Sequence, residues 1–432
     1  MRRRILFAAI VAAGALPFSA GAQTVAITGG KVYTVSGATI DNGTVIIRDG
    51  KITAVGANVA IPDGAQRIDA SGKWVTPGLV DGATVLGFTE VGAVTGTNDA
   101  SAEGRDHIAA AFTVWEGLNP RSVLVSPARE DGVTTVVVHP SEGLFAGQSA
   151  VLELVDGSAS DMVIRQSAAM VADLTDARGV GTASRGEMLL RVREILDDAR
   201  VYARRRADFE RAQTRPFAAS RLDLEALQPV LAGRLPLLVA VDKASDIQAA
   251  LRIAKDYGIR MMVAGGAEAW MVATELAAAK VPVLTGAMNN IPSSFATLGT
   301  RQENAAMLRA AGVPVVLIGN AGGGNEQSFN VRNIRYEAGN AVAYGMKWED
   351  ALRAITLAPA EAFGVADRVG SLQAGKDGNV VVWSGDPFEF ASRAEHVFVR
   401  GKEYRDVSRQ DMLMERYKNL PPDYEKPISG NP

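Results

Sequence analysis

Short apolar runs separated by turn residues fill both ends of the chain, while longer apolar runs alternate with amphipathic stretches through its middle. Near the start, Val25 to Thr28 precedes Gly29-Gly30 and then Lys31 to Val35; Thr44 to Arg48 precedes Asp49-Gly50 and then Lys51 to Val55. Asp-Gly between β-branched runs predicts a hairpin, because both central turn positions favour positive φ. The same texture returns at Asn379 to Trp383, at His396 to Val399, at the turn Arg400-Gly401 and at Lys402 to Arg405. Two β-rich ends predict one small composite β-sandwich, with the middle of the chain inserted between its halves.

The middle reads as βα units. Leu237 to Val241 is a continuous apolar run, as expected of a strand buried on both faces. Ser245 is placed to cap a helix from Asp246 to Tyr257, Gly258 to end it, and Arg260 to Ala264 to form the next strand. A helix near Ala267 to Ala279 and a strand at Pro282 to Leu284 make a second unit. Thr300-Arg301-Gln302-Glu303 has the spacing of a capping box, ahead of a strand at Pro314 to Ile318. Such units predict an α/β fold, either a parallel barrel or a doubly wound sheet, with chemistry in the loops after the strands. Glu187 to Arg211 is a long amphipathic helix, with Met188, Val192, Ile195 and Ala199 at helical spacing. Arg204, Arg205 and Arg206 near its end suit a solvated helix terminus, with an anion or partner patch as the alternative.

Composition narrows the function. Hydrophobic residues make up 47% of 432 residues, enough for a large core, and 45 basic against 48 acidic side chains argue against a nucleic-acid partner. Residues 1–22 read as a signal peptide: Arg2, Arg3 and Arg4, an apolar stretch from Ile5 to Leu16, and Ala20-Gly21-Ala22 as cleavage site. The expectation is an exported, periplasmic protein starting at Gln23, with no membrane span after cleavage. Cysteine is absent, so disulfides, thiolate ligands and cysteine nucleophiles are excluded. Histidine occurs three times, at 107, 139 and 396.

Two blocks then carry a resemblance. Lys73-Trp74-Val75-Thr76-Pro77-Gly78-Leu79-Val80-Asp81 resembles the segment that opens the barrel of the amidohydrolase superfamily. Ala351 to Thr356, Pro359-Ala360, Gly370-Ser371-Leu372 and Gly375-Lys376-Asp377-Gly378 resemble its closing segment. Gly147-Gln148-Ser149-Ala150 and Glu90-Val91-Gly92-Ala93-Val94 are similar to the exported, imidazolonepropionase-like subgroup. The resemblance implies a (β/α)8 TIM-like barrel with a small β-sandwich formed by both chain ends. The expected divisions are 1–22 signal, 23–77 and 372–406 sandwich, 78–371 barrel and 407–432 tail.

The resemblance also implies a metal centre, and here the sequence departs from the family. Two histidines at i and i+2 of the first barrel strand face one way and reach one cation. Their positions hold Ala83 and Val85. Later ligand positions hold Ala240 and Gly265, the bridging-lysine position holds Val171, and the catalytic aspartate position holds Asn320. No metal and no other cofactor is expected. The polar residues left as pocket candidates are His139, Asp242, Glu268 and Asn320, with Asp242 and Lys243 pointing to opposite sides of a strand end. Gly319 to Asn325 lacks the Lys-Ser/Thr ending of a phosphate cradle and reads as a loop. Two functions stay foremost, with a purely structural envelope protein as a weaker third. One is a non-catalytic subunit that binds a small molecule or forms a hetero-oligomer with an intact homologue. The other is an active hydrolase of non-peptide or cyclic C–N bonds with an atypical site.

Overall fold

The computed structural model describes residues 24–319, 327–405 and 409–418. The signal-like segment 1–22 and Asn320 lie outside the described residues. Five strands come first: β1 (Thr24–Val32), β2 (Ile40–Arg48), β3 (Lys51–Gly56), β4 (Gln66–Asp69) and β5 (Trp74–Pro77). Ten follow in the middle of the chain: β6 (Leu79–Thr84), β7 (Val133–Val138), β8 (Phe145–Gln148), β9 (Ala150–Glu153), β10 (Val163–Arg165), β11 (Met170–Asp173), β12 (Leu237–Val241), β13 (Met261–Gly265), β14 (Val283–Thr285) and β15 (Val315–Leu317). The last are β16 (Val380–Trp383), β17 (Ala394–Val399) and β18 (Lys402–Tyr404).

Strands from both chain ends join in one eight-stranded sheet. β5 is the seam, because it pairs with β1 on one side and with β16 on the other. β1 pairs along its length with β2, and on its other edge first with β4 and then with β5, so the sheet splits into two leaves. The leaves enclose their own core of Val25, Ile27, Val45, Ile47, Val75, Val380, Val382 and Phe398. Alternation along each strand builds this core, since every second side chain faces inward.

The remaining strands form an α/β barrel of the (β/α)8 type. β6 and β7 run parallel, and so do β11 to β15. One stave runs the other way: β9 pairs antiparallel with β7, β8 pairs antiparallel with β11, and Ser149 joins the two. β15 comes back against β6 at Gly82, where an added Cβ would stand 2.6 Å from a Val316 methyl carbon. Inside, Val137, Val171, Leu238, Met262, Leu284 and Val316 form one apolar layer, with Phe363 and Val365 packed onto it. Each such side chain contributes roughly 1.5–3 kcal/mol through burial.

Several helix boundaries differ from the sequence expectation for local reasons. The helix Ala244–Tyr257 begins before Ser245, because the Glu268 carboxylate accepts from the Ala244 N–H at 3.0 Å. The stretch expected as one helix near Ala267 to Ala279 is a 3-10 turn, Ala269–Val272, followed by the helix Ala273–Ala278. No capping box forms at Thr300: its hydroxyl donates to the Thr297 carbonyl at 2.6 Å, and the helix starts at Asn304.

A buried ion network ties sheet to barrel. Glu153 on β9 is fully buried and accepts from Arg400 (2.6 Å), Asn379 (2.8 Å) and Arg368 (3.1 Å). Arg368 also donates to Asp377, which pairs with Lys51 on β3. Tyr33, Trp74 and Trp348 pack ring to ring, with centroids 4.6–5.3 Å apart.

Candidate functional site

The C-terminal ends of β6, β7, β11, β12 and β13 bring Thr84, His139, Asp173, Asp242 and Gly265 to one rim of the barrel, the rim where this fold places its chemistry. Ala83 is half-buried, and its N–H donates to Asp81 Oδ1 at 3.0 Å. The β6–β7 register shifts between Asp81 and Thr84, and Val85 packs in the large outer core rather than in the barrel's inner layer. Positions 83 and 85 therefore do not present one shared face. Val171 is buried in the inner layer, and Ala240 is half-buried above it. Gly265 has φ +86°, and a Cβ built there would lie 2.7 Å from Asp242 Oδ1. The Asp242 carboxylate thus occupies the space in which a side chain at 265 would start.

Asp242 accepts from the Ala267 N–H at 3.3 Å. Burial raises its pKa, and the neighbouring Asp173 and Glu268 carboxylates push the same way. Asp173 is itself held by the Thr175 N–H (2.7 Å) and hydroxyl (2.6 Å). Asp242, Asp173 and Glu268 are therefore one acidic group, in which Glu268 spends an oxygen on the helix start at Ala244.

His139 sits deeper. Its Nε2 lies 2.8 Å from the Gly82 carbonyl oxygen, which can only accept, so Nε2 carries the proton. Nδ1 then accepts from the Ser149 hydroxyl at 2.7 Å. Burial lowers the imidazole pKa from 6.5 to about 4, which keeps the ring neutral. The Phe363 ring lies 5.4 Å away. Asp81 is the opposite case: burial raises its pKa to about 7, with the Glu337 carboxylate adding to the rise. Of these groups Asp173 lines an open cleft of about 1300 Å³, which runs between the loops after β6, β7 and β11 and the start of the helix Arg185–Arg204. Its carboxylates include Glu103, Glu142, Asp173, Asp176 and Glu187, and its one arginine, Arg191, is paired with Glu194 at 2.7 Å.

The family model described as "Amidohydrolase family" matches residues 252–405. An amidohydrolase from Thermotoga maritima MSB8 superimposes with a TM-score of 0.79 at 26% identity, over 88% of this chain and all of that one. The chain belongs to the amidohydrolase superfamily. The amidohydrolase tasK of Hapsidospora irregularis is 23% identical over 89% of this chain, and the chain spans 42% of that relative's length. Likeness to the imidazolonepropionase of Staphylococcus aureus is 51% but is confined to 49 residues, 11% of this chain. Molinate hydrolase shares the fold, with a TM-score of 0.57 at 21% identity over 95% of this chain.

A superfamily metal would need three or four donors converging on one point. The residues here do not fit one: Ala83, Val85, Ala240 and Gly265 carry no donor atom, and among the described residues no three His, Cys, Asp or Glu side chains gather at metal-binding distance. Of the sequence candidates, Asp242 and Glu268 are neighbours on the rim, whereas His139 has both ring nitrogens engaged with Ser149 and Gly82. His107 lines the acidic cleft, and His396 pairs with Glu403 at 2.7 Å in the terminal sheet. Sequence reasoning missed Ser149, Asp81 and Asp173. An Asp-x-Thr turn closing an apolar run signals Asp173. The Ser149–His139 contact crosses between two staves, and no local pattern encodes it.

Proposed function

We propose that this chain is a non-catalytic amidohydrolase-fold protein that uses the C-terminal face of its barrel to bind a small molecule, or to pair with a metal-bearing homologue, after export to the periplasm. Gly265 carries the reading. The position expected to supply a ligand has no side chain, and the Asp242 carboxylate fills the adjoining space. An excess of carboxylates in the cleft favours a ligand that carries positive charge or hydrogen-bond donors. The test is elemental analysis of the purified protein after dialysis against zinc and manganese, followed by a thermal-shift screen of matched cationic and anionic small molecules. Metal near zero per chain, with stabilisation by cationic compounds alone, is the expected result. About one tightly held ion per chain would overturn it.

One observation favours a second reading, hydrolysis of a non-peptide or cyclic C–N bond at an atypical site. The Ser149 hydroxyl donates to His139 Nδ1, the contact that activates a serine nucleophile. Against it, Ser149 is fully buried and His139 is a weak base. Turnover of cyclic amides that disappears in Ser149→Ala, with the fold intact, would establish the second reading over the first.

A further inference from the structure

The opposite, N-terminal face of the barrel holds a second open cavity, also about 1300 Å³. In this fold that face ordinarily carries stability rather than chemistry. The first residues of β13 and β15 form its floor, with Met261, Met262, Val315 and Val316, and Leu251 and Ile259 line its side. Around the mouth stand Arg252, Lys255, Arg260 and Lys280, all exposed, and none makes an ion pair or side-chain hydrogen bond among the described residues. The carboxylates at the same mouth are already engaged. Asp350 accepts from Arg309 at 2.9 Å, Glu361 accepts from Arg353 at 2.6 Å, and Glu275 accepts from Gln248 at 3.1 Å.

Four unpaired cations over an apolar floor form a surface of two parts. The helix dipole accounts for Lys255 and Lys280, which lie at the C-terminal ends of the helices Ala244–Tyr257 and Ala273–Ala278. It does not account for Arg260, which precedes a strand, nor for Arg252 over the cavity. We infer that this cavity binds a single-chain anionic amphiphile, a long-chain carboxylate whose tail covers the methionine and valine floor while its headgroup meets Arg252, Lys255, Arg260 and Lys280. Charge complementarity selects the headgroup, and the cavity's volume exceeds what a drug-sized ligand needs.

The experiment is isothermal titration of the full chain with octanoate, decanoate and dodecanoate below their micellar concentrations, with dodecyltrimethylammonium as the opposite-charge control. Burial of the tail predicts tightening of roughly fourfold per added methylene. The charge-reversal variant Arg252→Glu/Lys255→Glu/Arg260→Glu changes exposed positions and should keep the wild-type circular dichroism spectrum while losing about tenfold or more in dodecanoate affinity. Ala279→Trp, an exposed change at the mouth, should weaken dodecanoate without touching any charge. The proposal is overturned by any of three results: no dodecanoate binding, equal binding of the cationic control, or affinity unchanged in both variants. Metal content and the response of the acidic cleft to cations are read separately, so this site and the opposite face fail independently.

Discussion

At the residue scale, two buried titratable groups pull stability in opposite directions. His139 is neutral in the fold, with a pKa lowered to about 4 by burial. Between pH 6.5 and about 4 the unfolded chain therefore takes up a proton that the folded chain refuses, and stability falls as pH falls. Asp81, raised to about 7, keeps a proton that the unfolded chain releases above about pH 4, so its contribution falls as pH rises. Each slope is about 1.4 kcal/mol per pH unit, and over the shared window they offset. His139→Gln should uncover the Asp81 slope, losing stability from pH 4.5 to 6.5 relative to wild type, whereas Asp81→Asn should gain it; urea midpoints at three pH values decide. Gly265→His is expected to cost about 2 kcal/mol or more, since a left-handed φ and the Asp242 oxygen both oppose a side chain there. A Gly265→His protein as stable as wild type would mean that Asp242 moves freely aside.

At the scale of elements, the helix Ala244–Tyr257 starts on a carboxylate borrowed from the next unit. Glu268→Ala leaves the Ala244 N–H without its acceptor and should lower stability by about 1 kcal/mol, as loss of a helix cap does. A thermal midpoint unmoved by this change would show that water replaces the carboxylate at no cost. The sequence placed Glu268 at a helix start, and the structure puts it before a 3-10 turn, serving the previous helix instead. Strand positions were legible because buried strands are written as apolar runs: the expected Leu237 to Val241 is β12 itself. Helix starts were less legible, since a capping pattern such as Thr300 to Glu303 competes with tertiary acceptors that no local window contains.

At the scale of the whole molecule, sheet and barrel are joined through the fully buried Glu153, which accepts from Asn379 and from the part-exposed Arg368 and Arg400. Glu153→Ala leaves Asn379 and the part-exposed Arg400 without their shared acceptor, while Arg368 keeps Asp377, and should destabilise by roughly 1–3 kcal/mol, read as a lower urea midpoint. A second prediction concerns the metal. Ala83→His/Val85→His should gain no zinc-dependent turnover, because Val85 faces the outer core and positions 240 and 265 still lack donors. Zinc-dependent hydrolysis in that double variant would reverse the reading of the site.

The sequence alone determined the α/β class, the β-rich ends, the superfamily resemblance and the residue types, without side-chain donors, at 83, 85, 240 and 265. These are matters of residue type and short-range period, which the chain carries locally. Only the tertiary structure decided that His139 is held between Gly82 and Ser149, that Asp242 occupies the space beside Gly265, and that four cations surround a cavity on the far face of the barrel. Each of these joins residues from different barrel staves or helices, and burial, which sets both pKa values and access, exists only once those elements have packed.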